Sequence, residues 1–168
     1  VEIGKALGST VIAAASSTEK LEITRQHGAD ELIDYKRDSL KARVAEITSG
    51  AGADVCYDPV GGDLFDEALS SLAWGGRILV IGFVGGIPKI PANRLLVKHR
   101  SAMGSSLRFF REFRPELLRA SVEELINWWQ DGKLNPLITQ KFPLEEVPAA
   151  MAELLERRAV GRVVITVA

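Results

Sequence analysis

Two serines and a lysine follow the first short apolar stretch of the chain, Thr10–Ala15. Ser16 and Ser17 stand where that stretch gives way to a predicted helix, and Lys20 lies one turn further along. Exposed N–H groups at a helix start and a nearby cation stabilise an anion. A dinucleotide-binding sheet usually has an acidic residue at this strand end for the ribose hydroxyl of NAD, and none stands here, so the pattern favours NADP over NAD. The same residues also fit a simpler interpretation, in which Ser17 only caps the helix and Lys20 is a solvated surface lysine. Tyr35, just past the next predicted strand, is either another phosphate contact or an edge aromatic.

Two glycine-rich segments, "DPVGG" and "GFVGG", end two further apolar stretches. Glycine has no Cβ, so its backbone can approach a flat ring closely. The two segments could therefore line a nicotinamide pocket. The alternative is that their glycines only form tight turns.

The remaining reactive side chains do not form a recognisable catalytic or metal-binding pattern. Cys56 lies in the middle of an apolar stretch, where a thiol is more often packed than nucleophilic. His27 and His99 have no neighbours in the sequence that predict a triad or a metal site, so the sequence assigns no catalytic residue and no metal ligand. The cluster "RFFREFR" resembles a nucleic-acid patch in composition, but its spacing favours a helix that buries one face.

Composition and charge narrow the class of protein. The chain has 168 residues, 46% of them hydrophobic and 26% charged, with a formal net charge of −1. This composition is typical of a folded globular protein and offers no electrostatic footprint for nucleic acid or an anionic membrane. One cysteine cannot form an internal disulfide, which fits a cytoplasmic location, and no stretch reaches the ~18 apolar residues of a membrane helix.

Apolar strands alternate with helices of about ten residues along most of the chain. Strands that are apolar on both faces are typical of a parallel sheet covered by helices on both sides, so we predict a doubly wound α/β fold. The segment "RPELLRASVEELINWWQDGKL" is predicted to be a long helix with its apolar side chains inward, and the tail to be a strand, a helix and a closing strand. We place the main domain in residues 1–133 and the tail in residues 134–168.

The ordered set of strand ends resembles the cofactor-binding half of the medium-chain dehydrogenase/reductase superfamily. The resemblance is to its zinc-independent NADPH:quinone oxidoreductase branch, which is zeta-crystallin-like. It extends over the whole chain, through "VEIGKALGSTVIAAASSTEKLEITRQHGAD", "GADVCYDPVGGDLFDEALSSLAWGGRILVIGF", "NRLLVKHRSAMGSSL" and "GKLNPLITQKFPLEEVPAAMAELLERRAVGRVVITV". The resemblance implies a Rossmann-like fold.

The resemblance also implies a set of residues that contact NADP(H). At the 2'-phosphate end these are Ser16, Ser17, Lys20 and Tyr35, and beside the nicotinamide and its ribose they are Val60, Gly61, Gly82 and Phe83. The backbone of Ser105, Ser106 and Leu107 is implied to meet the carboxamide, and Arg162 to lie near the cofactor phosphates. It further implies a homodimer that pairs the edge strands "SAMGSS" of two subunits.

The family places a strand and a glycine-rich phosphate loop immediately before a helix like "VEIGKALG", and this chain starts inside that helix. In the strand order 3-2-1-4-5-6 that strand is the central one. We therefore expect a sheet that lacks its first, central strand, and a chain that lacks the amino-terminal GroES-like substrate domain. The sequence is thus expected to be a carboxyl-terminal portion of a longer reductase.

Three functions are compatible with these observations. The first is hydride transfer from NADPH to a small-molecule quinone or conjugated enone, with the protein orienting the cofactor. The second is a non-catalytic fragment that acts as an association or dimerisation module through its open sheet edges. The third is a zinc alcohol dehydrogenase of the same superfamily.

Overall fold

The computed structural model describes residues 1–156 and 158–167. The strands are, in chain order, β1 (Ile12–Ala15), β2 (Glu31–Asp34), β3 (Ala53–Asp58), β4 (Leu72–Val80), β5 (Ser101–Gly104), β6 (Ile138–Pro143) and β7 (Arg162–Thr166). The α-helices are α1 (Glu2–Ala6), α2 (Thr18–Gln26), α3 (Leu40–Ile47), α4 (Leu64–Ser71), α5 (Ala92–Val97), α6 (Leu107–Phe113), α7 (Pro115–Gln130) and α8 (Val147–Leu155), with a 3₁₀ turn at Leu144–Glu146 before α8. In the described residues no helix combines the length and the apolar character needed to cross a membrane.

All the strand pairs are parallel, and helices connect successive strands. The strands form a sheet β1-β2, a sheet β3-β4-β5 and a separate sheet β6-β7. Serine side chains fix two of the helix starts, since Ser17 accepts from the Lys20 N–H and Ser39 from the Ala42 N–H. The predicted α/β fold with parallel sheets is confirmed.

Strands β1 and β3 are each paired on one side only among the described residues. This is the arrangement expected if the order 3-2-1-4-5-6 lacks its central strand, because β2-β1 and β3-β4-β5 then occupy the two sides of the missing position. The expected gap in the sheet is therefore present in this chain.

One hydrophobic cluster joins the two main sheets. Its most deeply buried members, each at most 1% exposed, are Ile33 of β2, Leu72 and Ile78 of β4, and Phe65 and Leu69 of α4. Ile12 of β1 packs on the same cluster. The helices α3 and α4 pack against each other, so they cover both sheets with a shared core.

The predicted burial of the long helix is wrong, although its position is correct. No residue of α7 is buried, and Leu117, Val122 and Ile126 remain about half exposed. The reason is packing: among the described residues, the element that contacts α7 most extensively is the short helix α6. Helix α6, the "RFFREFR" segment, likewise buries no residue, and its phenylalanine rings Phe109 and Phe113 contact each other.

The tail contacts the first helices through a small polar cluster. The Glu2 carboxylate accepts a hydrogen bond from the Asn135 N–H (3.0 Å) and lies 2.7 Å from Nδ1 of His27. Strands β6 and β7 form their own sheet, with α8 packed against them. The division at residues 133 and 134 stays a prediction.

Candidate nucleotide-binding site

The phosphate-end residues meet at the carboxyl ends of β1 and β2. Ala15 is the cross-strand partner of Asp34, and the Tyr35 N–H donates to the Ala15 carbonyl oxygen (3.2 Å). These contacts place the backbone of Tyr35 beside Ser16. The pairing of two parallel strands therefore brings together residues that are about 20 positions apart in the sequence.

Ser17 acts as a helix cap without losing its capacity to bind an anion. Its Oγ accepts a hydrogen bond from the Lys20 N–H at 3.4 Å, and a hydroxyl that accepts still has its own hydrogen to donate. The Lys20 side chain is exposed. The cap and the phosphate contact, which the sequence presents as alternatives, are therefore chemically compatible.

Two further cations follow Tyr35 and were not predicted from the sequence. Lys36 and Arg37 are both exposed at the end of β2. The Asp34 carboxylate opposes them, since it accepts a hydrogen bond from the Lys36 N–H (3.0 Å) and lies 3.5 Å from Nε of Arg37. With Lys20, three cationic side chains stand at this edge, interspersed with the carboxylates of Glu19, Asp34 and Asp38. The sequence signal that could have identified these two cations is a pair of basic residues directly after an apolar stretch.

The nicotinamide-end residues lie in two loops that follow β3 and β4. We call residues 58–62 the first loop and residues 82–86 the second loop. The Asp58 Oδ1 accepts hydrogen bonds from the N–H groups of Val60 (2.8 Å) and Gly61 (3.0 Å). The Asp58 side chain is buried, and its other oxygen accepts no hydrogen bond within the described part of the chain. Asp58 was missed at the sequence level because an Asp-Pro pair signals only a turn.

The two loops are joined by backbone hydrogen bonds that run in both directions. The Gly62 N–H donates to the Gly86 carbonyl oxygen, and the Gly85 N–H donates to the Val60 carbonyl oxygen, both at 2.8 Å. The structure thus places Val60, Gly61, Gly82 and Phe83 in one unit of two contacting loops. The Phe83 side chain is 56% exposed at the surface of this unit.

The carboxamide positions lie at the end of the neighbouring strand. The Ser105 N–H, directly after β5, donates to the Val80 carbonyl oxygen at the end of β4 (3.1 Å). Ser106 and Leu107 follow as exposed residues at the start of α6. The ends of β3, β4 and β5 therefore all bear predicted contact residues on the same edge of one parallel sheet.

Arg162 lies apart from these groups. It begins β7, and its backbone N–H donates to the Leu137 carbonyl oxygen (2.7 Å). Its side chain makes no ion pair or hydrogen bond within residues 1–156 and 158–167. The structure thus does not bring Arg162 to the strand ends through any of these contacts, and its role stays a prediction.

Cys56 has the character of a packed thiol. It lies in β3 and packs against the hydrophobic cluster. Burial, reinforced by the negative charge of Asp58, raises the pKa of the thiol to about 11, so the nucleophilic thiolate is scarce at neutral pH. The described residues contain no group of three or more His, Cys, Asp or Glu side chains placed to hold a metal ion.

Comparison with known proteins decides the family. A family model described as zinc-binding dehydrogenase matches residues 1–123. The chain belongs to the zinc-binding dehydrogenase family. The predicted membership of the medium-chain dehydrogenase/reductase superfamily is thereby confirmed.

Several similar curated members of this family are named as quinone oxidoreductases or quinone oxidoreductase-like proteins. The chain is 44% identical over 160 residues to quinone oxidoreductase-like protein 2 homolog of Nematostella vectensis, which is 94% of this chain and 44% of the relative. It is 41% identical over 161 residues to quinone oxidoreductase-like protein 2 of Bos taurus, covering 95% of this chain and 46% of the relative. A quinone oxidoreductase of Pseudomonas aeruginosa is 34% identical over 163 residues, 96% of this chain and 50% of the relative. The chain spans about half the length of these curated relatives.

Solved structures of similar proteins share the fold. A quinone oxidoreductase of Pseudomonas syringae pv. Tomato superimposes with a TM-score of 0.86 at 29% identity, covering 98% of this chain and 51% of the other. A mycobacterial protein solved in complex with NADPH superimposes with a TM-score of 0.85 at 29% identity, covering 99% of this chain and 52% of the other. The predicted Rossmann-like fold is therefore confirmed.

Proposed function

We propose that this chain forms the greater part of the nucleotide-binding unit of a reductase that transfers a hydride from NADPH to a quinone or a conjugated enone. The observation that supports this most directly is the distribution of residue types along the strand ends. Hydroxyl and cationic side chains follow β1 and β2, and close-packed glycine loops follow β3 and β4. A phosphorylated dinucleotide has the same polarity, with an anionic end and a flat nicotinamide end.

The residues of this chain fit such a ligand at both ends. The Ser17 hydroxyl can donate to a phosphate oxygen, and Lys20, Lys36 and Arg37 offset its charge. The loops after β3 and β4 provide backbone and the Phe83 ring as a flat, apolar surface beside a nicotinamide. The family relatives named as quinone oxidoreductases and the similar protein solved with NADPH support the same choice of cofactor and acceptor.

In this proposal the protein supplies orientation rather than acid or base chemistry. NADPH, when bound, supplies the hydride. The two loops hold the nicotinamide side of the site in place, and apolar groups such as Phe83 exclude water from it. No side chain of this chain is assigned a proton-transfer step.

The choice of NADPH over NADH is tested with the complete native protein. We expect NADPH to bind at least about tenfold more tightly than NADH, and Lys20→Ala to weaken NADPH binding about tenfold while leaving NADH binding unchanged, because a charge-assisted contact to phosphate is lost. Lys133→Ala is the matched control, since Lys133 is an exposed lysine in the turn after α7. Tighter binding of NADH than of NADPH would contradict the proposal.

We further propose that the protein is a cytoplasmic homodimer that pairs the edge strand β5 of two subunits. Support comes from the position of β5, which among the described residues is paired only with β4, and from Met103, which is 48% exposed. An open strand edge readily adds another strand. Sedimentation equilibrium should give twice the subunit mass, and Met103→Arg should shift the mass towards that of one subunit. A monomeric wild-type protein would rule this out.

A further inference from the structure

The first loop (58–62) and the second loop (82–86) lie so close together that there is no space for a Cβ at Gly61 or Gly62. A Cβ on Gly61 would lie 2.5 Å from the Gly86 carbonyl oxygen and 3.1 Å from both Cα and Cβ of Phe83. A Cβ on Gly62 would overlap the Gly85 carbonyl oxygen even more severely. The obstructing oxygens belong to the backbone, so a side chain at either glycine would push the loops apart.

The carboxylate of Asp58 fixes the backbone of the first loop. Asp58 Oδ1 accepts from two successive N–H groups, those of Val60 and Gly61. The Asp58 carbonyl oxygen also accepts from the Ile81 N–H at 2.9 Å, directly before the second loop. Asp58 is 6% exposed, so its side chain is an internal support and is screened from a ligand at the surface.

We propose that Asp58 and Gly62 are positioning residues that set the place of Phe83, and through it the depth of the nicotinamide end of the site. This inference rests on the proposed function. Asp58 holds the backbone of Val60 and Gly61, and Gly62 lets the second loop close onto them. Because Gly61 and Gly62 have no Cβ, the two loops can contact each other, and this contact holds Phe83 at the surface.

Steady-state kinetics can separate positioning of the nicotinamide end from binding of NADPH. The predicted phosphate contacts follow β1 and β2, whereas the two loops follow β3 and β4. With NADPH and 1,4-benzoquinone as probes, we expect Gly62→Ala in the complete native protein to lower kcat about 10- to 100-fold, since small displacements of reacting groups are costly. The KM for NADPH should change less than about threefold, because Ser17 and Lys20 are untouched. Asp58→Ala should act in the same direction, and Asp58→Asn should retain most of kcat because its amide oxygen still accepts the two N–H groups.

Gly75→Ala is the matched control for backbone strain. Gly75 and Gly62 both have positive φ, +71° and +58°, but a Cβ on Gly75 would meet nothing within 4 Å. Both variants therefore carry a left-handed alanine, and only Gly62→Ala separates the loops. We expect Gly75→Ala to lower the melting temperature while leaving kcat unchanged.

Three results would overturn the inference. The first is a kcat for Gly62→Ala within twofold of that for Gly75→Ala; the second is a loss in Asp58→Asn as large as in Asp58→Ala. If Gly62→Ala does not fold, the two Asp58 variants decide alone. The third is absence of NADPH turnover in the wild-type protein, which contradicts the proposed function itself; normal wild-type turnover with unaffected variants contradicts only the positioning role.

Discussion

Cys56 is a residue whose chemistry is set by its place in a strand rather than by its type. Burial raises the pKa of its thiol to about 11, from an ordinary value of 9.0, and the charge of Asp58 acts in the same direction. Because the folded state holds the proton more tightly than the unfolded state, the stabilising contribution is complete below about pH 9 and is lost as the pH rises towards about 11.

Two measurements check this behaviour of Cys56. The free energy of unfolding in urea should fall between about pH 9 and pH 11, by at most about 1.4 kcal/mol per pH unit, and Cys56→Ala should show a smaller decline over that range. The native thiol should also react with a disulfide reagent at pH 8 much more slowly than the thiol of the urea-unfolded chain. Equal rates in the two states would show that the thiol is accessible and ionisable in the fold.

Residue types at strand ends were informative where their chemistry is local. Ser17 and Lys20 could be assigned to the start of a helix, because a cap is defined within four residues. The contribution of Asp58 to the loop contact could not be predicted, since it also depends on the Ile81 N–H, which donates to the Asp58 carbonyl oxygen from more than 20 residues later. For the same reason Gly62 could be predicted to form a turn, but not to lie against a carbonyl oxygen.

The Arg100 side chain stabilises the junction at which helix α4 ends and strand β4 begins. The Arg100 guanidinium, directly before β5, donates to the carbonyl oxygens of Ser70 (3.1 Å), Ala73 (3.3 Å) and Leu72. Carbonyls at a helix end lack partners within the helix. Burial lowers the pKa of Arg100, so the same side chain carries a desolvation cost that these hydrogen bonds offset.

Removing that side chain should destabilise the fold. We expect Arg100→Ala to lower the free energy of unfolding by about 2 to 4 kcal/mol, because partly buried carbonyls lose a charged donor. Arg108→Ala is the control, since Arg108 is 77% exposed and pairs with Glu112 on one helix face; its cost should be at most about 0.5 kcal/mol. Urea denaturation of both variants gives the comparison, and similar midpoints would contradict the role of Arg100 at this junction.

At the scale of elements, the sequence predicted most strands and helices because their periodicity and caps are local signals. It did not predict the exposure of α7, since an apolar face indicates that a helix seeks a partner but not that the partner is present. The half-exposed Leu117, Val122 and Ile126 illustrate this difference. Burial depends on contacts between elements, and α7 finds few of them within this chain.

For the whole molecule, the gap between β1 and β3 was predictable because the family that the sequence resembles places a strand before the first helix, and in the order 3-2-1-4-5-6 that strand is central. What this strand order does not provide is the reason that the two sheets stay together. That reason is the shared cluster in which Ile33 of one sheet and Ile78 of the other meet Phe65 and Leu69 of α4. Within the described residues, the two sheets are therefore joined by apolar contacts in this cluster.

Amide hydrogen exchange of this 168-residue chain tests that account at the scale of the molecule. Strand β4 is paired on both sides, whereas in the part of the chain that the structure describes β1 and β3 are each paired on one side. We therefore expect the amides of β4 to exchange slowest, and alternate amides of β1 and β3, those on the unpaired edge, to exchange at least about tenfold faster. Slow exchange along both of those edges would mean that β1 and β3 have a hydrogen-bonding partner in solution, and would refute two sheets that are joined by side-chain packing without strand pairing. The fully paired strand β4 is the internal reference, so a uniform loss of protection would report global unfolding rather than an open edge.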